Sequence, residues 1–229
     1  MTFPSAAGLR RLAGCCLAGA VLVPAASASY GLAVGASQAA LRVDAKGDAQ
    51  VTWTQDGAHE SFVVPHSGPG FHGVLPGSDV SKPANVALPL ATTVRSTPGG
   101  TLWALQQLDV TGRPPSLDLA RWTGAPTALT LTSDGTHLTG TATFHGQPVT
   151  GFSQTLSGAR MRIYVYLECF GCGGHAGAWS FMLGVAPRAD GSFSVALRPA
   201  WTGTRYRATV TGPNVGGELA PDAQTVLDT

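Results

Sequence analysis

Cys169, Cys172 and His175 stand within one short, glycine-rich segment and carry side chains suited to covalent or metal chemistry. Paired thiols form a disulfide in an oxidising compartment. Two thiolates and an imidazole bind zinc or copper(I). A Cys-x-x-Cys pair exchanges disulfides where a helix N-terminus lowers the pKa of one thiol.

The sequence favours a disulfide between Cys169 and Cys172 that shapes this loop. A metal site at Cys169, Cys172 and His175 is the alternative. The sequence favours it less than the disulfide, because no second Cys/His pair completes a four-ligand set. A redox pair is a further alternative, although Gly173 and Gly174 begin no helical pattern. Covalent haem attachment requires histidine directly after the second cysteine. Gly173 stands at that position, so the sequence does not predict haem attachment. We expect no cofactor.

Arginines alternate with other residues in two segments of the C-terminal half. Successive side chains of a strand point to opposite faces, so each pair of arginines is expected on one outward face. Residues 160–207 hold six arginines and two acids, and a merged surface would attract anionic envelope polymers. Ordinary solvated strand positions are the alternative. The candidate ligand-binding surface comprises Arg160, Arg162, Arg205, Arg207 and the turn residue Trp201.

The other tryptophans and the acids are predicted to have structural roles. Strand tryptophans are usually buried, so Trp53, Trp103 and Trp179 are expected in the core. Asp109 and Asp118 are the kind of residues that form the carboxylate pair of a glycosidase. We expect both instead to be solvated acids at strand edges. His66 and His72 flank a Gly/Pro loop where two imidazoles could share a metal; exposure is the expectation.

Motifs of known catalytic classes are missing from the sequence. Residues 151–155 read Gly-Phe-Ser-Gln-Thr, which lacks the last glycine of a nucleophile elbow. Neither a His-Glu-x-x-His motif nor a phosphate-binding glycine loop occurs. The sequence therefore favours a protein that is not an enzyme, with a secreted hydrolase or thiol oxidoreductase as the alternative.

Strand periodicity recurs along the chain. Residues 41–45 and 49–54 alternate apolar and polar side chains, and Asp56-Gly57 predicts a hairpin before residues 61–64. Residues 65–85 are rich in Gly and Pro and are expected to form a loop. Further strands are predicted at 86–95, 101–110, 117–122, 127–132, 137–144, 149–154, 161–168, 178–186, 192–198 and 204–211. The fold class is all-β.

The C-terminal half resembles bacterial immunoglobulin-like modules. Residues 138–149 resemble their opening hairpin and residues 190–208 their closing strands. Tyr206 stands where those folds often place a corner tyrosine, and Ala208 stands where antibody domains have cysteine. The resemblance implies a β-sandwich over residues 127–212 without the inter-sheet disulfide. A second β-rich domain, meander-like or sandwich-like, is predicted at 29–123, and residues 213–229 are expected as a loose tail or a terminal strand.

The N-terminus reads as a secretory signal peptide. Arg10 and Arg11 precede an apolar run that ends near Ala26-Ser27-Ala28. Cleavage is expected after Ala28, with the alternative after Ala36. The run is shorter than a membrane-spanning helix, and a retained anchor or a lipid on Cys15 is a weaker alternative.

Removal of residues 1–28 leaves 12 basic and 13 acidic residues, a net charge of −1. A near-neutral chain has little attraction for nucleic acid. We therefore expect a secreted or envelope-associated, non-catalytic β-protein with a binding or structural role. The expected partners are a cell-envelope polymer, a glycan or another extracellular protein, with no membrane span after processing.

Overall fold

The computed structural model describes residues 30–108, 114–149, 161–167, 177–199, 205–212, 214–215 and 217–229. They form an all-β structure of antiparallel sheets, which confirms the predicted fold class. In this part of the chain, no helix has both the length and the apolar character needed to cross a membrane.

The first nine strands lie between residues 30 and 122. They are β1 (Tyr30–Val34), β2 (Ser37–Val43), β3 (Ala49–Gln55), β4 (Ala58–Val64), β5 (Phe71–His72), β6 (Lys82–Pro83), β7 (Ala91–Ser96), β8 (Leu102–Leu108) and β9 (Ser116–Trp122).

Eleven further strands follow in the described residues from 128 onward. They are β10 (Ala128–Leu129), β11 (Thr132–Ser133), β12 (His137–Phe144), β13 (Gln147–Pro148), β14 (Met161–Leu167), β15 (Ala178–Val185), β16 (Ser192–Ala196), β17 (Arg205–Val210), β18 (Asn214–Val215), β19 (Glu218–Leu219) and β20 (Ala223–Asp228).

These strands pair into four sheets. The seven-stranded sheet has the order β18-β19-β9-β8-β7-β6, with β1 also beside β9. The β3 sheet has the order β2-β3-β4-β5. The β12 sheet places β10, β11, β13 and β16 against β12, and the β14 sheet has the order β15-β14-β17-β20.

The hairpin predicted at Asp56-Gly57 joins β3 to β4. Both residues have positive φ, 51° and 81°, as a two-residue type I′ turn requires. The turn sets Gln55 opposite Ala58 and so fixes the register of the whole pair.

Two cores are formed by pairs of sheets. Val51 and Trp53 of the β3 sheet pack with Trp103, Leu105 and Leu119 of the seven-stranded sheet. In the C-terminal half, the β12 sheet and the β14 sheet enclose Leu138, Phe193, Ile163, Val165 and Tyr206. Both arrangements have the character of a β-sandwich, because two sheets bury their inner faces against each other.

A third core crosses the boundary between the predicted domains at 29–123 and 127–212. Trp122 and Ala120 of β9 pack with Phe144, Val149 and Ala220. β19 pairs with β9, and β20 pairs with β17, so residues 217–229 contact both halves. The division into domains at 29–123 and 127–212 stays a prediction.

Some strands differ from their predicted bounds. β7 starts at Ala91, after a turn closed by the hydrogen bond from Ala91 N to Leu88 O. That turn removes residues 86–90 from the predicted strand. The sequence also predicts a strand at 149–154. The structure describes only Val149 of that segment, and Val149 lies outside the strands.

Candidate functional site

The outer face of the β14 sheet carries interleaved arginine and aromatic side chains. Met161, Ile163 and Val165 point into the core, so the alternate residues of β14 point to the other face. Strand pairing sets Tyr164 beside Arg207 and Tyr166 beside Trp179. We name the outer face by seven residues: Arg162, Tyr164, Tyr166, Trp179, Phe181, Arg205 and Arg207.

Trp179 lies within reach of two guanidinium groups. The Cζ atom of Arg207 is 4.8 Å from the centre of the Trp179 ring and 4.6 Å from that of Tyr164. The Cζ atom of Arg205 is 5.6 Å from Trp179 and 5.4 Å from Tyr166. These distances are those of cation–π contacts, which hold the rings and the arginines in one array.

Rings also contact rings along this face. Tyr166 and Trp179 meet edge to face with centres 5.4 Å apart, and Tyr164 and Phe181 do so at 5.8 Å. Edge-to-face packing is a favoured geometry for aromatic pairs. The positions of the rings are therefore set before any ligand arrives.

Burial divides the outer face into a base and a surface. Arg207 is only 3% exposed and Tyr164 is buried beside it. Phe181 is 38% exposed, and the side chain of Arg205 is 45% exposed. Arg207 thus packs against the rings of Tyr164 and Trp179 from the buried side. Phe181 and Arg205 are accessible to a partner.

The structure brings together three of the residues predicted for a ligand-binding surface. Because β14 and β17 are neighbours, Arg162, Arg205 and Arg207 share one face. Arg160 and Trp201 lie outside the described residues. Sequence reasoning missed the aromatic members Tyr164, Tyr166, Trp179 and Phe181. The alternation of Arg162, Tyr164 and Tyr166 with core residues was the signal that could have placed them.

The prediction that Trp179 is buried in the core is wrong. Trp179 is half-buried on the outer face, opposite Tyr166. The prediction for Trp53 and Trp103 is confirmed, since both are buried in the core beside the β3 sheet. The difference arises because strand tryptophans pack on either face, and strand pairing decides which.

Asp118 is not the solvated strand-edge acid that the sequence suggested. It is 9% exposed, because β9 is paired with β8 on one side and with β1 and β19 on the other. Burial raises the pKa of Asp118 to about 6, against a hydrogen bond from Ser116 that lowers it. Asp109 lies outside the described residues.

Asp222 is a second buried acid close to this one. Burial, and then the charge of Asp118, raise the pKa of Asp222 to about 7, while the Gly212 N–H and Arg162 lower it. Gln106 lies between the two segments: it pairs with Asp118 across β8 and β9 and hydrogen-bonds the backbone of Asp222.

A polar cleft of about 380 Å³ lies where the loop after β4 meets β9. His66 Nδ1 is 2.7 Å from Asp48 Oδ1, and Ser67 Oγ is 3.4 Å from His66 Nε2. Arg121 donates to the carbonyl oxygens of Pro65, His66 and Gly217. The guanidinium therefore fastens the loop that presents His66.

Glu218 accepts hydrogen bonds from Thr123 N and Thr123 Oγ1 and pairs with His145 on the other side of this cleft. Burial tends to raise the pKa of Glu218, but the bonds from Thr123 and His145 outweigh it and leave the pKa below its usual range. Asp48 and Glu218 thus each pair with a histidine, His66 and His145.

The structure gives His72 a ring contact with Phe62, and His66 lies beside Asp48. Within the described residues, no group of three or more His, Cys, Asp or Glu side chains is arranged to hold a metal ion. Cys169, Cys172 and His175 lie outside those residues, as does the segment 1–28. The disulfide and the signal peptide stay predictions.

Comparison of the chain with protein-family models, with curated proteins and with solved structures finds no match.

Proposed function

We propose that this protein is a secreted or envelope-associated, non-catalytic binding protein whose outer face binds an anionic envelope polymer. The observation that carries the proposal is the position of Trp179 between Arg205 and Arg207. An aromatic ring offers a stacking surface to the apolar face of a sugar, and a neighbouring guanidinium pairs with a carboxylate or phosphate.

The two arginines contribute differently to this binding. Arg207 is buried against Tyr164 and Trp179, so it orients the rings. Arg205 is accessible, and its Nε donates to Asp228 at 2.7 Å. That bond uses one of the five N–H donors of a guanidinium, and the side chain is 45% exposed, so the guanidinium stays accessible to the ligand. Arg162 adds a third positive charge to the same face.

Secretion is part of the proposal and is supported by the signal-like segment 1–28. An oxidising compartment also suits a disulfide between Cys169 and Cys172. The test is N-terminal sequencing of protein recovered from the culture medium. We expect a chain that begins at Ser29, or at Ser37 for the alternative site; an intact N-terminus in the cytoplasm would refute secretion.

We further propose that residues 127–212 form an immunoglobulin-like module. Two facing sheets, and Tyr206 buried between them, support this assignment. A polymer-binding site on one sheet face suits such a module, because the opposite face of the same sheet supplies the core.

Co-sedimentation with insoluble envelope polysaccharides tests the ligand. We expect binding to polymers rich in carboxylate or phosphate, weakened by salt, and little binding to an uncharged glucan. Trp179→Ala and Arg205→Ala should each weaken binding about tenfold, since the loss of one good contact of about 1.4 kcal/mol has that effect. Arg188→Ala is the matched control, because Arg188 is exposed in the turn between β15 and β16. An equal effect of the control, or equal binding of uncharged glucan, would contradict the proposal.

A secreted hydrolase is the second candidate, and the contacts from Ser67 through His66 to Asp48 are the observation that favours it. This order of groups is that of a nucleophile, a general base and its orienting carboxylate. A fluorophosphonate reagent is the test. Labelling of Ser67 that disappears in His66→Ala would support the hydrolase, and an unlabelled Ser67 would remove it.

A further inference from the structure

We propose a second binding site, for a neutral saccharide, in a cleft of about 370 Å³ on the β3 sheet. It is separate from the outer face of the β14 sheet and does not depend on the function proposed for that face. We call it the β3 cleft and define it by five residues that line it: Gln38, Thr52, Thr54, His59 and Val74.

Strand register places the polar members of the β3 cleft side by side. Thr54 pairs with His59 and Thr52 with Ser61 across β3 and β4, so their side chains share one face of the sheet. Thr54 Oγ1 is 3.2 Å from His59 Nδ1 and 3.3 Å from Gln38 Oε1. A hydroxyl, an amide and an imidazole are thereby grouped at one place.

Gln38 reaches the β3 cleft through an unusual backbone conformation. Its φ is +52°, which is uncommon for a residue with a long side chain. The register of β2 against β3 shifts between Ser37 and Ala40, as at a β-bulge. Bulges change the direction of side chains next to binding sites. A left-handed backbone at a non-glycine residue lowers the stability of the fold, and such residues are often found at functional sites. The bulge turns Gln38 towards Thr54.

The other end of the β3 cleft is closed by a hydrogen-bonded network. Gln50 Oε1 accepts from Arg42 Nε at 2.7 Å and from Leu75 N at 3.1 Å, and Gln50 Nε2 donates to Ser61 Oγ. Ser61 Oγ donates to Gly73 O at 2.6 Å. This network holds the loop that carries Val74, so the wall of the cleft is preformed.

The chemistry of the lining selects a neutral polyol. Hydroxyl and amide groups both donate and accept hydrogen bonds, as sugar hydroxyls do. Val74 is 72% exposed at the lip and offers an apolar contact to the C–H face of a sugar ring. Among the described residues, no lysine or arginine lines the cleft, and the positive charge of Arg42 is directed to the carbonyl oxygens of Leu75 and Gly77. An anionic sugar is therefore disfavoured, and the volume is that of a small-molecule site.

NMR titration of the purified protein with neutral trisaccharides (maltotriose, cellotriose and mannotriose) tests the proposal, with trigalacturonate as the acidic comparison. We expect at least one neutral sugar to shift the backbone amides of residues 52–54 and 59–61 at concentrations up to about 10 mM. No such shift with any of the three, or an equal shift with trigalacturonate, would overturn it.

Two variants separate recognition from folding. Thr54→Val removes the hydroxyl and keeps the shape, and it should weaken binding about tenfold; Thr132→Val, at an exposed strand threonine elsewhere, should not. Gln38→Gly removes the amide and relieves the positive φ, so we expect a higher melting temperature together with weaker binding. A Gln38→Gly protein that binds as tightly as wild type would overturn the assignment. Arg205→Ala should leave this binding unchanged, whether or not the outer face binds polymer.

Discussion

Gln106 and Asp222 stand 116 positions apart in the chain and exchange two hydrogen bonds. Gln106 Nε2 donates to the Asp222 carbonyl oxygen at 2.9 Å, and Asp222 N donates to Gln106 Oε1 at 2.8 Å. The side-chain amide thus pairs with the backbone as a neighbouring strand would. Because Gln106 is fully buried, this contact ties the segment before β20 to β8 in the absence of competing water.

Gln106→Ala should destabilise the protein by about 2–4 kcal/mol, because it leaves two buried backbone groups of Asp222 without these partners. Urea unfolding followed by tryptophan fluorescence measures the effect. Gln107→Ala is the control, since Gln107 is the exposed neighbour on β8, and it should change stability by less than about 0.5 kcal/mol. Similar losses in both variants would contradict a role for the Gln106–Asp222 contact.

Stability should fall as the pH rises from about 5 to 8. The pKa values of Asp118 and Asp222 are raised in the folded protein to about 6 and about 7, above the ordinary value of 3.8. The folded state therefore holds more protons than the unfolded state in this window. The stability that protonation contributes is complete below about pH 4 and is lost as the pH passes the folded values.

Each of these carboxyls contributes about 1–3 kcal/mol to that change. Urea unfolding at a series of pH values measures it, and Asp118→Asn should flatten the profile and raise stability at pH 8. Asp44→Asn is the control; Asp44 is half-buried in the turn after β2. A profile of Asp118→Asn with the wild-type slope would refute this origin of the pH dependence.

Gly140→Ala should destabilise the β12 sheet by about 3 kcal/mol or more, as overpacked core substitutions do. A Cβ atom at Gly140 would clash with Thr130 O and lie 2.5 Å from Phe193 Cζ, and a backbone oxygen cannot move aside as the end of a flexible side chain can. Gly99→Ala is the control, because its Cβ would meet Thr97 Oγ1 at 3.9 Å. Thermal unfolding compares them, and a Gly140→Ala melting temperature equal to that of the control would be inconsistent with this packing.

Arg207→Ala should cost about 2–4 kcal/mol, because it removes a buried side chain that contacts both Tyr164 and Trp179. Arg205→Ala should cost less than about 1 kcal/mol, since the ion pair of Arg205 with Asp228 is exposed. Near-ultraviolet circular dichroism should show a changed environment for the aromatic rings in the Arg207 variant. An unchanged spectrum with unchanged stability would argue against Arg207 as the support of the outer face.

Local patterns predicted much of the secondary structure. Alternation identified β3, β12 and β17, and Asp56-Gly57 predicted the hairpin between β3 and β4, because side-chain period and turn conformation depend on neighbouring residues. The same alternation placed Arg205 and Arg207 on one face. Alternation did not reveal that Asp118 is buried. An acid in a strand looks the same in sequence whether the strand lies at an edge or in the middle of a sheet.

The sequence by itself determined the all-β class and which residues of one strand share a face, since both follow from local stereochemistry. Only the tertiary structure decided that β14 lies between β15 and β17, which sets Trp179 between two arginines. It alone decided that Asp222 contacts Gln106 and that the bulge of β2 turns Gln38 towards Thr54. Such contacts join residues far apart in the chain, and which of the many possible strand pairings forms is decided by the packing of the whole set of sheets.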